Sequence, residues 1–239
     1  CTSLSNVTIE RFQNIGSYMF AGCTSLSSLS LGNEEPIDSY NKASVLGVNS
    51  MRDIGSNSIN GNLYIGSSVS LVGTSCFNGG DTKRWIVQAN IRAKNIGVDA
   101  FKNQRRMSSL TIGDTCENIE NSAFEACAAL VNLTIPSSVL SIGTEAFNDC
   151  NSLLNVIIGD DLSPPKTLVD YRAFYDIDAA SPIGDLFVGR SVDQIATQAF
   201  DCKIKDTNNN PWLATAYLNC RQIGSDLTGS TTVKSPFQG

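Results

Sequence analysis

The sequence predicts a leucine-rich repeat solenoid, and three recurrences carry that prediction. A turn phrase returns as Ile96-Gly-Val-Asp-Ala-Phe101, Ile119-Glu-Asn-Ser-Ala-Phe124 and Ile142-Gly-Thr-Glu-Ala-Phe147, its phenylalanines 23 residues apart. Between the copies runs an apolar phrase: Met107-x-x-Leu110-x-Ile112, Leu130-x-x-Leu133-x-Ile135 and Leu153-x-x-Val156-x-Ile158. A cysteine opens many copies, as in Cys23-Thr-Ser-Leu26, Cys127-Ala-Ala-Leu130 and Cys150-Asn-Ser-Leu153. Self-similarity at a period in the twenties marks coils that bury their apolar faces on one another. The expected form is a right-handed, curved array of about eight coils, each about 23 residues long, with short parallel strands and 3-10 or helical turns.

Within a coil, alternation at the end of the apolar phrase sends Leu133 and Ile135 inward and Thr134 outward. Stacking sets these strands side by side in a parallel sheet, and residues 137–142 form a second extended stretch on the return path. Gly143 is expected to allow a turn, and Ala146-Phe147 to begin a helical or 3-10 turn. Phe147 then stacks beside Phe124, and Ala146 is small because a neighbouring backbone is close.

Residues 1–205 read as the solenoid. The chain opens partway through a coil, Cys1-Thr-Ser-Leu4 matching Cys23-Thr-Ser-Leu26. Upstream repeats and a targeting signal are therefore expected outside this sequence. The first coil runs to Ile15-Gly-Ser-Tyr-Met-Phe20, and residues 32–58 look like an irregular insertion, with Ile54-Gly55 as a weak echo of the turn phrase. The register returns at Leu63-Tyr64-Ile65 and again at Trp85-Ile86-Val87. After the three regular coils, loops at 159–168 and 175–182 separate the copies ending in Phe174 and Phe200. Residues 206–239 read as a cap and tail: Asn210-Pro211-Trp212 resembles an N-cap and first turn of a short helix over 212–218.

Composition narrows the function. Net charge is −6 with a sequence pI near 4.6, and the one basic cluster, Arg105-Arg106 near Lys102, reads as a solvated corner. A nucleic-acid partner is not expected. No apolar run is long enough to span a membrane. The chain has no histidine, which removes Ser-His-Asp and Cys-His nucleophile systems. No Cys-x-x-Cys pair or phosphate loop occurs. No catalytic residue, metal or cofactor is expected. Asp160-Asp161 and Asp176-x-Asp178 have calcium-ligand chemistry but lack a full ligand loop, so solvated acidic loops are the favoured reading. Cys127 and Cys150 are read as free buried thiols rather than rungs of a disulfide ladder, because in-register side chains run parallel. Cys76 stands where alanine normally does.

These residues closely resemble the BspA-like, or Treponema-type, leucine-rich repeats. Cys127-Ala-Ala-Leu130-Val-Asn-Leu133-Thr-Ile135-Pro136, then Val139-Leu-Ser-Ile142-Gly143 and Ala146-Phe147, follow the family phrase almost position for position. The resemblance covers about residues 1–202. It implies an extracellular or cell-surface protein that uses its solenoid to bind host proteins or other cells.

Binding residues are sought on the outward positions of the sheet. The register places Thr8, Ser30, Tyr64, Ile86, Thr111, Thr134, Ile157 and Phe187 in one outward column. A second column holds Asn62, Arg84, Ser109, Asn132, Asn155 and Asp185. Hydroxyls are the ordinary filling of an exposed strand; Tyr64, Ile86, Ile157 and Phe187 are not, and they make binding anchors. Alternatively, Ile157 and Phe187 form a local core beneath the insertions. The expected function is non-enzymatic adhesion, with Tyr64, Ile86, Arg84, Asn62, Asn132, Asn155, Ile157 and Phe187 meeting a protein or glycan on a host or neighbouring cell. A spacer holding another domain away from the cell surface, or a glycan-binding module, is the alternative.

Overall fold

A computed structural model describes residues 2–20, 22–35, 44–51, 54, 60–80, 85–177, 184–200 and 213–223. Among them are eighteen short strands and no helix. Odd-numbered strands form the front: β1 (Asn6–Ile9), β3 (Ser28–Leu31), β5 (Gly61–Ile65), β7 (Ile86–Ile91), β9 (Ser109–Ile112), β11 (Asn132–Ile135), β13 (Asn155–Ile158), β15 (Gly184–Val188) and β17 (Leu213–Leu218). Even-numbered strands form the back: β2 (Asn14–Ile15), β4 (Ser44–Leu46), β6 (Val69–Val72), β8 (Asn95–Ile96), β10 (Asn118–Ile119), β12 (Ser141–Ile142), β14 (Thr167–Val169), β16 (Val192–Ile195) and β18 (Gln222–Ile223). Each strand pairs in parallel with its counterpart one coil away, as the stacked phrases predict.

The back sheet is continuous through all nine strands. The front sheet is divided into β1-β3-β5-β7-β9 and β11-β13-β15-β17. Pro136 stands at the division. In the other coils the residue after the front strand donates its N–H to the preceding coil, as Gly113 does to Ile91 O (2.8 Å) and Gly159 to Ile135 O (2.8 Å). Proline has no N–H to give, so the rung due at Ile112 O cannot form.

The third side of each coil corrects the expected helical turn. Ser122, Phe124 and Ala126 donate their N–H groups to the carbonyls of Thr144, Ala146 and Asn148 in the next coil, at 3.0, 2.8 and 2.7 Å. These alternate amides form a third inter-coil ladder, whereas a helix would turn them into its own axis. To present them, Tyr18, Asn49, Ser75, Asp99, Ser122, Glu145, Arg172 and Gln198 adopt left-handed backbone in successive coils, and Asn103, Ala126, Asp149 and Asp176 add a second such residue in four of them, with φ between 53° and 64°. Such conformations cost about 1–3 kcal/mol each away from glycine; the added hydrogen bonds offset that.

The core lies between the ladders. Phe77, Phe101, Phe124, Phe147, Phe174 and Phe200 stack in one column, their ring centroids 4.8–5.2 Å apart and their planes within 7°. The adjoining column must be small, and it holds Ser50, Cys76, Ala100, Ala123, Ala146, Ala173 and Ala199, all buried. Ser50 and Cys76 touch O to S at 3.1 Å. The next polar column uses the ladder too. Gln104 Nε2 donates to Phe77 O (2.6 Å), Cys127 Sγ to Phe101 O (3.5 Å) and Cys150 Sγ to Phe124 O (3.4 Å). Each thiol thus faces a carbonyl of the preceding coil instead of its in-register neighbour, and both cysteines are free. Burial pushes the Cys150 thiol up to about 12. Cys116, unassigned by the repeat, is buried three residues before Ile119, where the next coil has Val139.

Three sequence expectations need correction. The second coil's turn is Leu46-Gly47-Val-Asn-Ser50-Met51, not Ile54-Gly55; Met51 and Ser50 take the Phe and Ala places, and Ile54 is buried in the cysteine column. The fourth front strand is Ile86-x-x-Ala89-x-Ile91, so Ile86 is an inward residue. Residues 213–218 form β17 rather than a helix, with Ala216 and Leu218 buried. The exposed edge of β15 supplies hydrogen-bond partners that outweigh local helical preference. The expected cap residues before Leu213 lie outside the described residues.

Gly143 also has a different reason from the one expected. Its φ is ordinary; a Cβ there would lie 2.8 Å from Asn121 N and 2.8 Å from Glu120 C in the preceding coil. Gly16 occupies the same column in the first coil and meets nothing within 4 Å. In chemical denaturation, Gly143→Ala is expected to cost about 1–3 kcal/mol, and Gly16→Ala to stay within about 0.5 kcal/mol. Phe147→Ala, which empties the middle of the ring column, is expected to cost about 3–5 kcal/mol.

Candidate functional site: two ladders of the front sheet

Strand register fixes the outward columns. One runs Thr8, Ser30, Tyr64, Asn90, Thr111 on the first front ladder and Thr134, Ile157, Phe187, Tyr217 on the second. The other runs Asn6, Ser28, Asn62, Gln88, Ser109, then Asn132, Asn155, Asp185. Tyr64, Asn62, Asn132, Asn155, Ile157 and Phe187 therefore stand on the face where they are expected. Ile86 does not: it is fully buried, and Gln88 and Asn90 take the outward places on β7. Arg84 lies outside the described residues.

The two ladders carry different chemistry. On the second, Ile157 is 40% exposed and pairs in register with Phe187, which pairs with Tyr217. The Phe187 and Tyr217 rings stack with centroids 4.9 Å apart. Beside them Asn155 Nδ2 donates to Asn132 Oδ1 at 2.7 Å, so these amides are partly occupied with each other. On the first ladder, Tyr64 is half-buried among Ser28, Ser30, Asn62, Gln88 and Asn90, which line an open depression of about 280 Å³.

Tyr217, Gln88 and Asn90 were not foreseen from the 23-residue period. A longer self-similarity would have found them. Residues 23–97 and 150–224 are two copies of one unit: Gly61-Asn-Leu-Tyr-Ile-Gly66 answers Gly184-Asp-Leu-Phe-Val-Gly189, and Asn95-Ile96-Gly97 answers Gln222-Ile223-Gly224. The structure repeats its details. Ladder shifts fall at Gly61/Asn62 and at Gly184/Asp185. Asn33 N donates to Ser68 Oγ at 2.9 Å, and Asp160 N to Ser191 Oγ at 2.9 Å. Arg92 Nε lies 3.0 Å from Glu34 Oε2, an ion pair without hydrogen-bond alignment; in the second copy Asn219 Nδ2 donates to Asp161 Oδ1 at 2.9 Å.

These bonds also account for the acidic loop. Asp160 Oδ1 accepts from the N–H groups of Leu162 (2.9 Å) and Ser163 (2.6 Å), and Asp161 Oδ1 from Arg190 N–H (3.0 Å). Both carboxylates are thus engaged by the chain, and no cluster of three or more metal-ligating side chains exists among the described residues. Asp178 lies outside them.

Taken together, coil, ladder and face define a leucine-rich repeat module. The BspA type leucine rich repeat region matches residues 1–63 and 70–207 in six copies, and the chain belongs to that family. Among solved structures it is similar to a leucine-rich repeat protein from Bacteroides ovatus ATCC 8483, at 15% identity, covering 94% of this chain and 76% of that one with a TM-score of 0.38. It is also similar to a leucine rich cell surface protein from Faecalibacterium prausnitzii A2-165, at 18% identity, 93% and 79% coverage and a TM-score of 0.25. No curated protein matches. No helix among the described residues is long and apolar enough to cross a membrane.

The Ser137 hydroxyl, followed by the Ser163 amide, holds the Asp160 carboxyl down to about 2 from an ordinary 3.8. A group depressed on folding adds stability above its unfolded pKa and loses it as pH falls through the folded one. The melting temperature of the wild type is therefore expected to exceed that of Asp160→Asn near pH 5, and the gap to close between pH 4 and pH 2.

Proposed function

We propose that this chain is a non-enzymatic binding module that works outside the cell and grips a protein partner by the second front ladder. The in-register row Ile157, Phe187 and Tyr217 carries the reading. It offers an exposed isoleucine beside two half-buried, stacked aromatic rings on paired strands, where a soluble sheet would place hydroxyls or charges. Aromatic side chains on a preformed surface lose little entropy on binding and are the usual anchors of protein interfaces. Asn132, Asn155 and Asp185 flank the row and supply a polar rim. Family membership supports the extracellular setting.

Surface plasmon resonance against a panel of extracellular-matrix and host-surface proteins tests this. A folded Ile157→Ser/Phe187→Ser/Tyr217→Ser variant is expected to bind at least tenfold more weakly, a loss of about 1.4 kcal/mol or more. A partner bound equally by both proteins would place recognition elsewhere on the coil.

A further inference from the structure

We propose that the floor around Tyr64 is a second binding site, independent of the apolar row, and that it takes an uncharged glycan chain. The duplicated unit provides an internal comparison. Ser30, Tyr64 and Asn90 occupy the slots that Ile157, Phe187 and Tyr217 fill in the second copy, on the same strand register and beside the same ladder shift. The backbone therefore accepts apolar side chains at these places. Polarity in the first copy is a property of the surface and not a demand of the fold.

The chemistry of that surface is specific. None of the outward residues on β3, β5, β7 and β9 is charged, so nothing there favours an anionic or cationic ligand. Elsewhere in this molecule, in-register polar side chains bond to one another: Asn118 Nδ2 to Asn95 Oδ1 at 2.7 Å, and Ser141 Oγ to Asn118 Oδ1 at 2.9 Å. Among the described residues, the side chains of Ser28, Ser30, Asn62, Gln88 and Asn90 make no such bond. They leave three planar amides and two hydroxyls, each able to donate and accept, around the half-buried Tyr64 ring. A sugar ring offers the complement: hydroxyls in both roles around its rim and an apolar C–H face that packs on an aromatic ring. The depression is open rather than enclosed and is lined from four adjacent strands, which suits a chain lying across the strands more than a small molecule held within.

Isothermal titration calorimetry with neutral hexasaccharides of β-1,4-glucan, β-1,3-glucan, α-1,4-glucan and α-1,6-mannan tests the site, with a heparin hexasaccharide as the anionic arm. At least one neutral chain is expected to bind saturably. Tyr64→Ala is expected to weaken it at least tenfold and Asn90→Ala severalfold, while Tyr64→Phe keeps most of the affinity. Ile157→Ser/Phe187→Ser/Tyr217→Ser is expected to bind the glycan as the wild type does, which separates this site from the protein-binding row. Absence of saturable binding by all four neutral chains, tighter binding of the heparin fragment, or an unaltered affinity in folded Tyr64→Ala would each overturn the proposal.

Discussion

The constraint on which the rest depends is backbone hydrogen bonding from coil to coil, made on three sides at once. Front strands, back strands and turns each send amides to a neighbouring coil, as Phe124 N–H does to Ala146 O at 2.8 Å. Three ladders fix the rise per coil near one strand spacing, about 4.8 Å. The phenylalanine rings, 5.1 Å apart through the regular coils, follow that rise. So does the small-residue column, since a larger side chain would press on the adjoining backbone. The left-handed residues follow as well, because only that turn geometry aims alternate amides along the stack. Identity at each position is thus set by neighbours about 23 residues away, which is why the period is visible in sequence.

Where the ladder constrains a position, chemistry can vary as long as the contact is met. The column that donates to the preceding phenylalanine's carbonyl holds Gln104, Cys127 and Cys150. A long amide and a short thiol reach the same acceptor from the same place. The cysteines are therefore explained as buried donors of suitable size, their thiols held in the protonated form by burial. Outward columns have no such constraint, and there the two copies of the duplicated unit diverge: Tyr64 and Asn90 against Phe187 and Tyr217.

Legibility in the sequence followed the same division. From Ile96 to Ile158 the repeat is regular, and its strands, ring column and buried cysteines are where the phrases place them. Two strands were misread for one reason. Ile86-x-x-Ala89-x-Ile91 and Leu213-x-x-Ala216-x-Leu218 put alanine where the phrase has leucine, and the apolar signal weakens at its middle position. With Ala89 unrecognised, the register slipped and Ile86 was set outward. The phrase then sits four residues early, at Trp85-Ile86-Val87, an even shift that keeps the alternation; Ile86 turns inward only at the ladder shift opposite Gly61/Asn62, and Gln88 and Asn90 fall beyond the displaced phrase. The second coil was missed similarly, with Ser50 and Met51 standing in for Ala and Phe. The duplication that would have corrected all three has a period several coils long, beyond the span of the short repeat.

Pro136 gives the duplication a structural consequence. It lies between the two copies and removes one rung where the front sheet divides, so β3, β5 and β7 belong to one front ladder and β13, β15 and β17 to the other. The continuous back sheet still joins both. Each copy therefore presents its outward residues on a separate front ladder while sharing one spine. From Tyr64 to Phe187 the stack rises five coils, about 24 Å at the usual strand spacing. That distance keeps the two patches from sharing a single small ligand but leaves both within the footprint of one macromolecule, about 800 Å² on each partner at a standard interface. A glycan-bearing protein would be able to meet the amide-lined copy with its sugar and the aromatic copy with its polypeptide, using one rigid face for both.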